Sequence, residues 1–198
     1  MVSASLTLFA LPPLVAGGRR NRLLAVVMLM FAFSCLAVGS QQSGTTPVLE
    51  RSVKAAFLYK FLGYMEFPSD PGSTLVVGVL GADDVASELA QITNGRNVGN
   101  RTISVRKLGE GDALTGLQLL FVGAEASLPG ASLRAAEKNG TVTVTEQEDG
   151  LQIGSVINFR LVDERVRFEV SLPAAERCNV RLSSRLLSVA YHVQKGGQ

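Results

Sequence analysis

The chain holds one histidine, His192, and it stands beside Tyr191 near the C-terminus. A hydrolytic triad needs a base next to a nucleophile, and a zinc site needs several nitrogen or sulfur ligands at short spacing. No motif places such partners around His192, which reads as a structural or surface residue with a mild pH-sensing role as the alternative. Gly78-Val79-Leu80-Gly81-Ala82-Asp83 ends an apolar run and opens a helix, the place where phosphates bind in many α/β proteins. It lacks the full glycine pattern, and Asp83-Asp84 would repel an anion, so the turn reads as structural. Glu110, Asp112, Glu146, Glu148 and Asp149 fall in expected loops without a calcium-loop pattern, and read as solvated. These residues point away from an enzyme and call for neither cofactor nor metal.

Two other groups carry binding chemistry. Arg165, Arg167, Arg181 and Arg185 gather on the C-terminal segments. They serve either cross-strand pairing with Glu169 or recognition of an acidic patch on a partner. Phe57, Phe61, Tyr64 and Phe67 form an aromatic stripe that serves the core, with any exposed part available as a dimer or ligand face.

The elements that position these residues follow from periodicity. Val53, Ala56, Phe57, Lys60, Phe61 and Tyr64 recur at helical spacing, and Pro68 and Pro71 end the helix by Phe67. Leu75–Leu80 and Leu117–Val122 are continuous apolar runs that read as buried strands. Thr102–Leu108 reads as a strand, and Thr141–Thr145 is β-branched throughout. Between them, Asp83 or Asp84 caps a helix to about Ile92, and Ala131–Lys138 is a helix closed by Asn139-Gly140. Strand, helix, strand, repeated, predicts an α/β fold with a mostly parallel sheet and flanking helices. The last third changes style. Ile157, Phe159 and Leu161 share one strand face and Val166, Phe168 and Val170 the next, which makes an antiparallel hairpin reversing at Val162–Arg165. Pro173 opens a short helical segment to about Cys178. Ser183 then caps a closing helix whose buried face is Leu186, Leu187, Ala190 and Val193, with Leu182 stapled onto Leu187.

The N-terminus reads as a leader. Arg19, Arg20 and Arg22 precede an uncharged run, Leu23–Val38, and Ala37-Val38-Gly39 supplies the small residues of a cut before Ser40. The run is about 16 residues, short of the roughly 20 that span a bilayer, so a signal peptide over 1–39 is expected over an uncleaved anchor. Cys35 leaves lipidation open, and Arg19-Arg20 faintly resembles a twin-arginine signal. A flexible arm over 40–50 and one domain over 51–195 complete the organisation. The chain has 19 basic and 17 acidic residues, and the leader holds three arginines and no acid. The remainder is close to neutral, which calls for no nucleic acid. Cys178 is the one cysteine beyond the leader and forms no internal disulfide there. It reads as a small buried residue, with an intermolecular bridge or a redox-responsive thiol as alternatives.

Four patches together resemble a known family. Val53-Lys54-Ala55-Ala56-Phe57-Leu58-Tyr59-Lys60-Phe61 with Tyr64-Met65-Glu66-Phe67-Pro68 is similar to the first helix and its exit in the YfiR-like family of exported bacterial proteins. Leu117–Gly123 resembles that family's central strand. Thr141–Thr145 with Gly154–Phe159, and Arg165–Val170 through Ser183–Leu187, resemble its later signatures. The resemblance implies a periplasmic α/β domain that dimerises. It further implies repression of an inner-membrane diguanylate cyclase through that enzyme's periplasmic domain, and so control of cyclic di-GMP and biofilm formation. A stand-alone periplasmic small-ligand module is the alternative. Two departures stand out: Phe67 replaces the usual Trp, and the paired cysteines of the characterised repressor are missing, which argues against control by an internal disulfide.

Overall fold

The computed structural model describes residues 45–67 and 72–196. The leader, its cut after Gly39, Cys35, the first part of the expected arm, Pro68 and Pro71 lie outside them.

Helix α1 (Thr45–Leu62) leads into β1 (Met65–Glu66). Then follow β2 (Thr74–Leu80), α2 (Asp83–Thr93), β3 (Asn97–Val98), β4 (Arg101–Leu108), β5 (Leu119–Val122), α3 (Pro129–Lys138) and β6 (Val142–Thr145). The C-terminal part holds β7 (Ile157–Val162), β8 (Arg165–Ser171), α4 (Leu172–Arg177), β9 (Arg181–Leu182), α5 (Ser184–Val189) and β10 (His192–Gln194). Eight strands form one sheet in the order β10-β8-β7-β6-β5-β2-β4-β3, and β1 pairs with β9 apart from it. The run β7-β6-β5-β2-β4 is parallel, while β7–β8 is antiparallel. The expected α/β class, mostly parallel sheet and C-terminal hairpin are all present.

Both faces of the sheet are covered, which is why its central strands read as unbroken apolar runs. Alternation splits β5: Leu119 and Phe121 join the core under α1 and α2, while Leu120 and Val122 join a second core with Leu133 and Ala136 of α3. The connection β2-α2-β4 moves one way across the sheet and β5-α3-β6 the other, so right-handed crossovers put α2 and α3 on opposite faces. The order reverses between β2 and β5, the switch point where ligands settle in open α/β sheets.

Five expectations need correction. Helix α1 begins at Thr45, so the later part of the expected arm is helical. Its buried residues are Ala55, Leu58, Phe61 and Leu62, whereas Ala56, Lys60 and Tyr64 are exposed. The stretch Ala55–Leu62 is apolar almost all round, so periodicity alone could not choose the face. The first turn of α2 is capped by Ala82 without a side-chain acceptor; Asp83 and Asp84 lie inside that turn, where they complement the helix dipole. Leu161 shares the face of Phe159 but lies exposed near the hairpin tip. Finally, the closing helix stops at Val189. Ser183 caps it as expected, accepting the Leu186 N–H at 3.3 Å, but the backbone turns extended at Ala190. The Tyr191 N–H then donates to the Phe168 carbonyl at 2.8 Å, and His192 and Val193 enter the edge strand β10 beside β8. Pairing with an open edge outcompetes another helical turn, because β8 offers unpaired backbone groups there.

Candidate functional site

The two segments expected to bind a partner are positioned by the hairpin and by β9 with α5. Asp163 and Glu164 both take positive φ, 49° and 59°, which makes the tight two-residue reversal the hairpin needs. In β8, Val166, Phe168 and Val170 alternate with Arg165, Arg167 and Glu169. Phe168 meets Phe57 and Phe61 of α1 at ring-centroid distances of 5.5 and 5.0 Å, so Arg165 and Arg167 project from the opposite face. Arg181 stands across from Glu66 in the β1–β9 pair, and Arg185 neighbours Leu186, which is buried in the core on the α1 side. The four arginines are all exposed; Arg165 and Arg167 lie on the face of β8 turned away from α1, and Arg181 and Arg185 lie outside the eight-stranded sheet. Glu169 answers Arg160, at 3.9 Å, instead of a signature arginine.

The aromatic stripe divides in a similar way. Phe61 is 1% exposed and Phe57 half-buried; with Phe121, Phe159 and Phe168 they form one ring cluster with centroid separations of 5.0–6.0 Å. Such contacts are core packing, worth about 0.5–1.5 kcal/mol per pair beyond burial. Phe67 is also packed against this core, and Tyr64 is the exposed member. The backbone carbonyl of Tyr64 accepts the Ser183 N–H at 2.9 Å, which ties the exit of α1 to the C-terminal signature. His192 is exposed on β10, and no group of three metal-ligating side chains occurs among the described residues.

Sequence reasoning missed a third cluster, at the switch point. Strands β2 and β5 are followed at once by Gly81 and Gly123, whose backbones nearly touch: a Cβ on Gly123 would lie 2.3 Å from the Gly81 carbonyl oxygen. Only glycine permits this approach. The loop after β6 reaches over the junction. Glu146 accepts the Ala124 N–H at 2.8 Å, and Gln147 donates to the Gly123 carbonyl at 3.0 Å. From α1, Lys54 places its ammonium against the same Glu146 carboxylate and against Glu50. Both Lys54 and Glu146 side chains are 13% exposed. Burial works to lower the Lys54 pKa, but its hydrogen bonds to Glu146 and Glu50 more than reverse this, so the ammonium is held above its ordinary value. Beside this cluster, Arg51 lies 3.9 Å from Asp84, and its buried Nε has no partner. The flanking clefts measure about 220 and 230 Å³ and share Glu50, Lys54, Ala124 and Glu146. Ligand pockets usually reach roughly 300–1,000 Å³. In this chain a carboxylate of its own occupies the place where the fold would seat a ligand.

Cys178 is buried, with its thiol 3.6 Å from the Thr141 carbonyl. Burial first, and the charge of Glu137 second, push its pKa up to about 11. A redox-responsive thiol needs thiolate character and access, and this one has neither.

These features define an α/β domain with a self-occupied switch point, buried aromatics and exposed arginines on its C-terminal signature. Residues 51–191 match the model of the YfiR/HmsC-like family, and the chain belongs to that family. Among solved structures it is similar to a conserved domain protein from Vibrio cholerae O1 biovar El Tor, with 8% sequence identity and a TM-score of 0.48. The likeness covers 73% of this chain and 60% of that one. No curated protein matches.

Proposed function

We propose that this protein is an exported regulator that binds the extracytoplasmic domain of a membrane diguanylate cyclase and holds the enzyme inactive. The observation that carries the reading is membership of the YfiR/HmsC-like family across residues 51–191, since this is a family of periplasmic regulators. The leader read at the N-terminus supports the same compartment. The exposed Arg165 and Arg167 suit recognition of an acidic patch, because rim charges steer encounter and select partners. Regulation through a protein partner, working as a homodimer, fits a chain whose switch-point clefts are small and internally neutralised. Loss of repression would raise cyclic di-GMP and favour biofilm growth.

A pull-down tests this reading. The protein, tagged at its C-terminus and expressed in its own host, is recovered from detergent-solubilised membranes. Co-purification of a membrane protein with a cyclase domain, weakened by Arg165→Glu with Arg167→Glu, is the expected result. A folded, abundant bait that returns no such protein would count against it.

A further inference from the structure

Among the described residues, the outer side of β4 is open beyond Thr102. Strand β4 pairs with β2 from Thr102 to Leu108, but β3 covers only Arg101 and Thr102 on the other side. The direction of the free groups follows from one bond. The Thr102 N–H donates to Ser73 on the β2 side at 2.9 Å. Backbone groups alternate along a parallel ladder, so those of Thr102, Ser104 and Arg106 face β2, and those of Val105 and Lys107 face outward. Among the described residues no strand pairs with them.

A groove runs beside this edge. It lies between the C-terminal half of α2 and β4, has a volume of about 560 Å³, and is lined by Thr93, Asn94, Ile103 and Val105 among others. Ile103 and Val105 are half-buried and share the α2-facing side of β4. A strand added to β4 would bring every second side chain over this groove. That is the division of labour in β-augmentation, where main-chain bonds give affinity and side-chain pockets give selectivity.

Charge names the occupant. Arg106 and Lys107 are exposed at the open end of β4, on opposite faces. Among the described residues Arg106 makes no ion pair, and Lys107 meets the exposed Asp83, at 3.5 Å. A pair so exposed is worth little and exchanges readily. Cationic side chains discourage indiscriminate pairing at a sheet edge. They also favour a strand whose cross-strand positions carry carboxylates. We propose that the outer edge of β4 is a docking site for an extended acidic segment of another polypeptide, which pairs with Val105 and Lys107. This surface lies at the far side of the sheet from β8 and β10, and the inference does not rest on the cyclase reading.

The test uses the 15N-labelled protein as exported by its host and two capped hexapeptide probes, one alternating Val with Glu and one alternating Val with Lys. The expected result is shift changes and slowed hydrogen exchange at the Val105 and Lys107 amides with the Glu probe. Binding of the Lys probe should be on the order of tenfold weaker, because the probe's charges share one face and their cross-strand pairing with Arg106 reverses sign. Lys107→Pro removes one outward N–H while sparing the β2 ladder, a position where an edge strand tolerates proline, and should abolish binding. Arg106→Glu with Lys107→Glu keeps every N–H and should reverse the preference between the probes. Equal binding of both probes, responses away from β4, or undiminished binding by the proline variant would overturn the proposal. So would protection of the Val105 and Lys107 amides that rises with protein concentration alone, which would assign the edge to a second copy of this chain.

Discussion

Arg167 stands directly across from Arg160 in the β7–β8 hairpin, and the carboxylate of Glu169 lies 3.9 Å from the Arg160 Nε. Like charges opposite one another cost stability, by roughly 0.2–1 kcal/mol. Arg167→Gln is therefore expected to leave the melting temperature unchanged or slightly raised. If Arg167 is kept for a partner, the same variant should weaken capture of that partner. Thermal melts and the pull-down, run on one preparation, separate the two effects.

The aromatic stripe makes a contrasting prediction. Phe61 is buried within the ring cluster, and Tyr64 is exposed in the turn just after the same helix. Phe61→Ala should cost about 3–5 kcal/mol, the usual range for emptying an aromatic site in a core. Tyr64→Ala should cost under about 1 kcal/mol. Denaturant unfolding measures both, and similar costs would contradict the division into core and surface.

Lys54 and Glu146 join α1 to the top of the sheet across 92 positions of sequence. Lys54→Met strands the Glu146 carboxylate with only the Ala124 N–H, at an expected cost of about 1–3 kcal/mol, below that of a fully buried pair. The pH dependence has a definite sign. Because the folded pKa of Lys54 is raised above 10.5, its contribution is fully present below pH 10.5 and is lost as pH rises through the folded value. Cys178 acts in the same direction. The unfolded thiol ionises near 9.0 and the folded one near 11, so stability falls between those values. Melting temperatures should decline alike in Lys54→Met and the wild type between pH 9.0 and 10.5, where Cys178 titrates, and less steeply in Lys54→Met above pH 10.5.

Cys178 should also resist a thiol reagent at pH 8 in the native state and react fully once the chain is unfolded. Rapid labelling of the folded protein would show that the Cys178 site opens, and would return the redox reading to contention.

The sheet was legible because its signals are local. Leu75–Leu80, Leu117–Val122 and Thr141–Thr145 each announce a strand buried on both faces, and the glycines and asparagines between them announce turns. Ser183 and Leu182 likewise mark the start of α5. Its end was not legible, since Leu186, Leu187, Ala190 and Val193 fit a helix, and only the open edge of β8 draws Val193 into a strand. The arginines were visible as residues, but that Arg165 and Arg167 turn away from α1 follows from strand alternation combined with where α1 packs. The switch-point cluster was hidden for a different reason. Lys54 looks like one polar position on a helix and Glu146 like a loop acid, and only the parallel register of β5 and β6 brings Glu146 over Ala124.

The central claim is that this protein restrains a cyclase in the host membrane. The most direct measurement is the cellular cyclic di-GMP level in a host strain lacking the gene, with and without a restored copy. A rise on deletion, returned to the starting level by the wild-type chain and only weakly by Arg165→Glu with Arg167→Glu, is the predicted result. A level that does not move on deletion, in cells shown to make the protein beforehand, would contradict the account.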